Sequence, residues 1–379
     1  MNLFFPSALI CLAIAITGCV DDGRGGSGDN GGGGNGGDAG GVPAPAPEPD
    51  PIATLERALE QAIDLAIVPA ASGFLARSES LQSAAESFCE TPDSDALTVL
   101  QDQWRATFEQ WYRQSLYNFG PMNDDIVFPT FTFIDSLRLR GTDYLETVRA
   151  EIASDINGTR ELEQSYFANK TFQRVGLLAL ESAIFETSTA DNSTTLTEVL
   201  AEYEFQPRKC EVLRGLANEI VNRARYIEQG WTVAFLDTDR PFRELFIEGE
   251  LEDGTEPISQ ILIAGQEFLD YLQARRVVTT AAQVSNHAWE AISATIDEVE
   301  TLLAGGPDTE DSIFEVMADT GNQNAVDAVQ ESIRQVRQAI ADRDVDMLEI
   351  TLGFLDGNFK REIPDSLDVV LGITFSDGD

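Results

Sequence analysis

The chain has 379 residues, 43% of them hydrophobic, and carries 65 acidic against 25 basic residues for a formal net charge of −40. That length holds one large or two ordinary domains plus a tail, with apolar material for a sizeable core. A field of this sign repels phosphate backbones and anionic headgroups, which argues against nucleic-acid binding and leaves cations or basic partners as what the surface could attract.

Residues 3 to 16 form an uncharged, largely apolar run of signal-peptide length, too short for a comfortable membrane span. The run ends in Ile16-Thr17-Gly18-Cys19, which resembles a bacterial lipobox. The resemblance implies a lipoprotein signal peptide over 1–18, lipid on Cys19, and a place in the bacterial cell envelope, at the outer membrane facing the periplasm or the surface. No Lys or Arg precedes the run, a departure from the usual pattern. From 19 to 51 the composition turns to Gly, Asp, Asn, Ala and Pro, which cannot bury enough surface to offset ordering entropy and reads as a tether. Two cysteines remain beyond it, Cys89 and Cys210. An exported setting permits a disulfide between them, and the sequence leaves open whether they meet. Neither lies in a Cys-x-x-Cys, so zinc or thiol chemistry has no support.

Past the tether the expectation is all-α, as two packed helical bundles over 52–230 and 231–379. Apolar residues at helical spacing run from Ile52 to Val68, Pro69 interrupts them, and Phe74 to Phe88 resumes the pattern. Asp93 or Ser94 caps the next helix, whose stripe from Leu97 through Trp104, Phe108, Trp111 and Tyr112 to Leu116 reads as core. Asn118-Phe-Gly-Pro121 stops it. Thr142-Asp143 caps a short helix, and one long helix is expected over Glu161–Glu186. Leu196–Phe205 and Cys210–Glu228 follow, then an irregular seam from Gly230-Trp231 to about Glu256. Ile258–Arg275, Thr280–Leu303, Asp308–Ala318, Asn324–Ala341 and Val345–Phe359 each show helical periodicity, and Val369–Phe375 is β-branched enough for a strand.

Within the expected long helix, Val175 to Phe185 is apolar except for Gly176, Glu181 and Ser182. A helix apolar on all sides is buried, and an acid inside it needs a cation, a metal, a donor or its own proton. Arg138, Arg140 and Arg174 are the candidate cations. Gly176-Leu-Leu-Ala-Leu-Glu181 resembles the G-x-H-x-x-E signature of the imelysin family, with Leu178 in place of the histidine. Trp104, Trp111, Phe119-Gly120-Pro121, Ile134-Asp135 and the terminal Leu-Gly-Ile run ending in Asp377-Gly378-Asp379 resemble further segments of that family. The resemblance implies an exported all-helical protein whose relatives include peptidases, iron-regulated surface proteins and periplasmic parts of iron uptake systems. It also marks Gly176, Glu181 and Asp135 as ligand-pocket candidates.

The metal expected of the motif lacks its imidazole here, because Leu178 has no donor atom; any cofactor is therefore unknown and a metal is not expected at this position. The chain's single histidine forms His287-Ala-Trp-Glu290, a second H-x-x-E and the alternative metal pair. With no H-E-x-x-H, G-x-S-x-G or Cys-His context, catalytic residues are expected to be none. The reading is a lipid-anchored envelope protein that binds iron, a small ligand or an envelope partner without catalysis. The alternatives are a metallopeptidase with an altered site and a structural envelope protein.

Overall fold

The computed structural model describes residues 51–137, 143–251, 254–306 and 311–371. The expected signal segment, Cys19, most of the tether, Arg138, Arg140 and the terminal Asp377-Gly378-Asp379 lie outside the described residues. So does Ile373–Phe375 of the expected strand; Val369–Leu371 is not a strand, and none occurs among the described residues.

The helices are α1 (Pro51–Ala62), α2 (Val68–Glu90), α3 (Ser94–Gln114), α4 (Leu145–Asn157), α5 (Gln164–Ala168), α6 (Gly176–Phe185), α7 (Leu196–Phe205) and α8 (Pro207–Thr232). They continue as α9 (Phe242–Ile247), α10 (Pro257–Ala274), α11 (Val277–Thr280), α12 (Ala288–Ala304), α13 (Ile313–Asp319), α14 (Gln323–Asp342), α15 (Val345–Lys360) and α16 (Glu362–Leu367).

Pro69 does not stop the chain from coiling. A single π-helical stretch, Ile63–Ile67, joins α1 to α2, with the Val68 amide bonded to the Ile63 carbonyl. Wider spacing just ahead of the proline accommodates its missing N–H. Asp93 caps α3 by accepting from the Ala96 amide at 2.8 Å, and Ser312 with Glu315 forms a capping box on α13.

α2 lies against α3 and α8, and α6 threads between α3, α4 and α8. In the later half α10 packs on α15, α15 on α14, and α12 on both α14 and α3. The described residues fall within one compact unit. Gly230 and Trp231 belong to the end of α8, where the Trp231 ring meets Phe119, Phe242 and Phe246 at centroid distances of 5.0–6.0 Å. Cys89, near the end of α2, is disulfide-bonded to Cys210 in the first turn of α8, with Cα atoms 5.6 Å apart.

Candidate functional site

The expected helix over Glu161–Glu186 is broken into α5, a 3-10 turn at Phe172–Arg174, and α6. Gly176 fixes where the chain re-enters α-helix. Its φ of +88° is left-handed backbone, and a Cβ there would sit 2.5 Å from the Ile134 carbonyl oxygen. Only glycine takes both the angle and the approach at little strain. The next amide, Leu177, donates to that same carbonyl at 2.9 Å, and the Trp104 indole donates to the Leu177 carbonyl at 3.1 Å. The motif glycine, the tryptophan helix and the Ile134-Asp135 turn therefore form one joint that sets where α6 begins.

Five residues into α6, Glu181 is 1% exposed. Its Oε1 accepts from the Ser285 amide at 2.8 Å and from the Ser285 hydroxyl at 2.7 Å. Burial pushes the carboxyl up from 4.5 to about 7; the donors at Ser285 and Val284 oppose this, and the Glu186 charge reinforces it. Among the described residues, no cation contributes to this shift. Arg174, one of the expected partners, pairs instead with Glu151 at 3.0 Å. Glu186, the last acid of the segment, shows the contrast. It is also buried, but Arg149 grips it in a fork at 2.8 and 2.6 Å, and the Ser182 hydroxyl donates to it at 2.6 Å. The Lys209 ammonium, wholly buried, donates to the Glu186 carbonyl at 2.9 Å and to Glu202 at 2.5 Å. One end of α6 is charge-compensated; among the described residues, the donors on Glu181, earlier in the helix, are neutral.

Ser285 comes from a segment that sequence periodicity placed inside a helix over Thr280–Leu303. The helix is interrupted between α11 and α12, and in the gap Ala282 (φ 47°) and Asn286 (φ 55°) take left-handed backbone. For an L-residue such as alanine that conformation costs about 1–2 kcal/mol. The segment is anchored by Ser285 on Glu181 and by His287 on Glu109.

Glu181 opens onto a pocket whose walls include Trp104, Phe108, Asp135, Leu178 and residues 280–283. Its cavity volume is about 30 Å³, room for one or two waters or a small ion. Asp135 borders the same pocket, its carboxylate accepting from the Leu137 amide at 3.1 Å and the Trp111 indole at 3.4 Å. Leu178, half-buried, gives the pocket an apolar wall. Glu181 and Asp135 thus border one pocket, whereas Gly176 does not line it and bears on it only through the joint at Ile134. The donor set does not fit a transition ion: Leu178 offers no atom, and one oxygen of Glu181 is taken by two Ser285 donors. Among the described residues, no group of three or more His, Cys, Asp or Glu side chains could hold a metal ion.

His287 stands at the N-cap of α12 rather than within it. Its Nε2 is 2.7 Å from Glu109 and its Nδ1 is 3.6 Å from Glu290. Glu290 in turn pairs with Arg343 at 2.5 Å, and although partial burial raises its carboxyl, the hydrogen bond from its own backbone amide, the Arg343 hydrogen bond and charge, and the His287 charge together lower it. Sequence reasoning missed Ser285, Glu109 and Glu186. The run Ser285-Asn286-His287, poor in helix propensity ahead of a strong apolar helix, is the signal that could have exposed the break.

A family model described as imelysin, peptidase M75, matches residues 67–361. The fold is similar to the crystal structure of an imelysin-like protein from Psychrobacter arcticum 273-4, with a TM-score of 0.62 and 17% identity over 85% of this chain and 98% of that one. It is also similar to an iron-regulated protein A precursor from Parabacteroides distasonis ATCC 8503, with a TM-score of 0.51 and 13% identity over 87% and 97% of the two chains. At these identities the likeness is one of fold. A stretch of 113 residues is 30% identical to a non-reducing polyketide synthase, nscA, of Aspergillus fumigatus; it spans 29% of this chain and 6% of that protein's length.

Proposed function

We propose that this chain, which belongs to the imelysin family, is a lipid-anchored envelope protein of an iron-related process that binds a ligand or partner and does not catalyse a reaction. The observation that carries the reading is the wall facing Glu181. Leu178 supplies an apolar wall with no donor atom, and among the described residues the acid is held by Ser285. The iron link draws on the structural neighbour called an iron-regulated protein A precursor. Export is supported by the apolar run ahead of Cys19 and by the Cys89–Cys210 bond, which persists in oxidising compartments.

The alternative reading is a metallopeptidase with a relocated site, for which His287 beside Glu109 and Glu290 is the candidate pair, although among the described residues these side chains are not arranged to hold an ion. Elemental analysis of the purified protein, with and without added iron(II) or zinc(II), and a casein hydrolysis assay separate the two. The proposal expects substoichiometric metal and no hydrolysis. One tightly held ion per chain, lost together with hydrolysis in His287→Ala, would establish the relocated peptidase. A structural envelope role would show as wild-type behaviour of cells producing Glu181→Ala under iron limitation.

A further inference from the structure

Residues Ala281, Ala282 and Gln283, which wall the Glu181 pocket, also wall a second one. Its volume is about 420 Å³, against about 30 Å³ for the first. The larger value lies within the range of small-molecule sites, which begins at roughly 300 Å³; the smaller does not approach it.

The lining sets the chemistry. Among the described residues Arg343 is the one charged residue bordering the cavity, and Trp289, Asn286, Gln283 and Thr279 supply a flat ring and neutral polar groups. Arg343 is the left-handed C-cap of α14 (φ 53°), so its side chain leaves the helix end sideways. Its guanidinium lies 5.6 Å from the centre of the Trp289 ring, and Nη2 bonds Glu290 at 2.5 Å. Those two contacts fix the fork in place, while the side chain stays 55% exposed. In a chain of net charge −40 an anion meets repulsion over most of the surface, so an arginine bordering a ligand-sized cavity is a selective point of attraction.

We propose that this cavity binds a small planar organic carboxylate, its carboxylate on Arg343 and its ring against Trp289. The Glu290 pair then acts as a competitor. It occupies part of the guanidinium fork, and the ligand's carboxylate takes up the remainder.

The probe is 4-fluorobenzoate, titrated into the protein and followed by fluorine NMR. Solute quenching adds a second readout, because Trp104, Trp111 and Trp231 are 0% exposed whereas Trp289 is half-buried, so acrylamide reports on Trp289. Saturable binding with protection of Trp289 is expected, and acetate, benzamide and inorganic phosphate should each bind at least about tenfold more weakly. Arg343→Gln should weaken binding about tenfold or more. Glu290→Gln, which frees the fork, should tighten it several-fold, an opposite direction that misfolding cannot imitate. Absence of saturation at millimolar probe, equal affinity for benzamide, phosphate binding as tight as 4-fluorobenzoate, or unchanged affinity in both variants would overturn the proposal.

Discussion

Replacing Glu181 with glutamine should stabilise the protein, and only where the acid is ionised. The folded carboxyl stands at about 7 against 4.5 for an unhindered one, so the folded chain holds this proton more tightly than the unfolded chain does. Stability from this group is therefore greatest below pH 4.5, declines between 4.5 and about 7, and is level above. At about 1.4 kcal/mol per pH unit, the ionised group costs roughly 3 kcal/mol at pH 8. Glu181→Gln keeps the side-chain shape and an acceptor oxygen for both Ser285 donors, but cannot ionise. Urea unfolding at pH 8 should show the variant more stable by about 2–3 kcal/mol, and the two proteins should coincide near pH 4.5. Subtracting the wild-type curve removes the contributions of the other carboxylates. A variant less stable than wild type at pH 8, or a difference independent of pH, would refute the reasoning and point to a cation or metal on Glu181.

Ser285→Ala removes the hydroxyl bond to Glu181; a loss of about 1.5–3 kcal/mol is expected at pH 8, smaller at pH 5, and smaller again in a Glu181→Gln background, as a double-mutant cycle would show. Gly176→Ala forces a Cβ to within 2.5 Å of the Ile134 oxygen at φ +88°; urea denaturation should register a loss of roughly 2–4 kcal/mol, and a neutral outcome would remove the joint as the reason α6 starts there. Leu178→His restores the family signature one turn before Glu181, and calorimetric titration should show zinc(II) binding at least about tenfold tighter than in wild type; no gain would mean the pocket is not built around that geometry. Replacing both Cys89 and Cys210 with serine opens a crosslink spanning 121 residues, and the urea midpoint should fall by the equivalent of about 2–4 kcal/mol.

Helical periodicity was enough to read the all-α class, the buried character of α6, and the long helices α3, α10, α14 and α15, because an apolar stripe at 3.6-residue spacing is a local property. Two features were not local. The long helix expected over Glu161–Glu186 is interrupted after Ala168 and restarts at Gly176, where the Ile134 carbonyl, 42 positions earlier, accepts from the Leu177 amide and leaves no room for a Cβ. The donor to Glu181 lies 104 residues away, inside a stretch that the pattern alone reads as helix. A carboxylate's partner depends on tertiary approach, so sequence neighbours such as Arg174 were a poor guide to it. The anomaly itself was plain in the sequence: an acid in an apolar helix had to have its burial offset in some way, and the fold does so with a serine and a raised affinity for protons.

The central claim is tested most directly by titrating the Glu181 carboxyl itself, as the carbon-13 resonance present in labelled wild type and absent in Glu181→Gln. The account predicts a midpoint near 7 that stays put when iron(II) or zinc(II) is added. A carboxylate already ionised at pH 5, or a resonance that moves on stoichiometric addition of either metal, would contradict it.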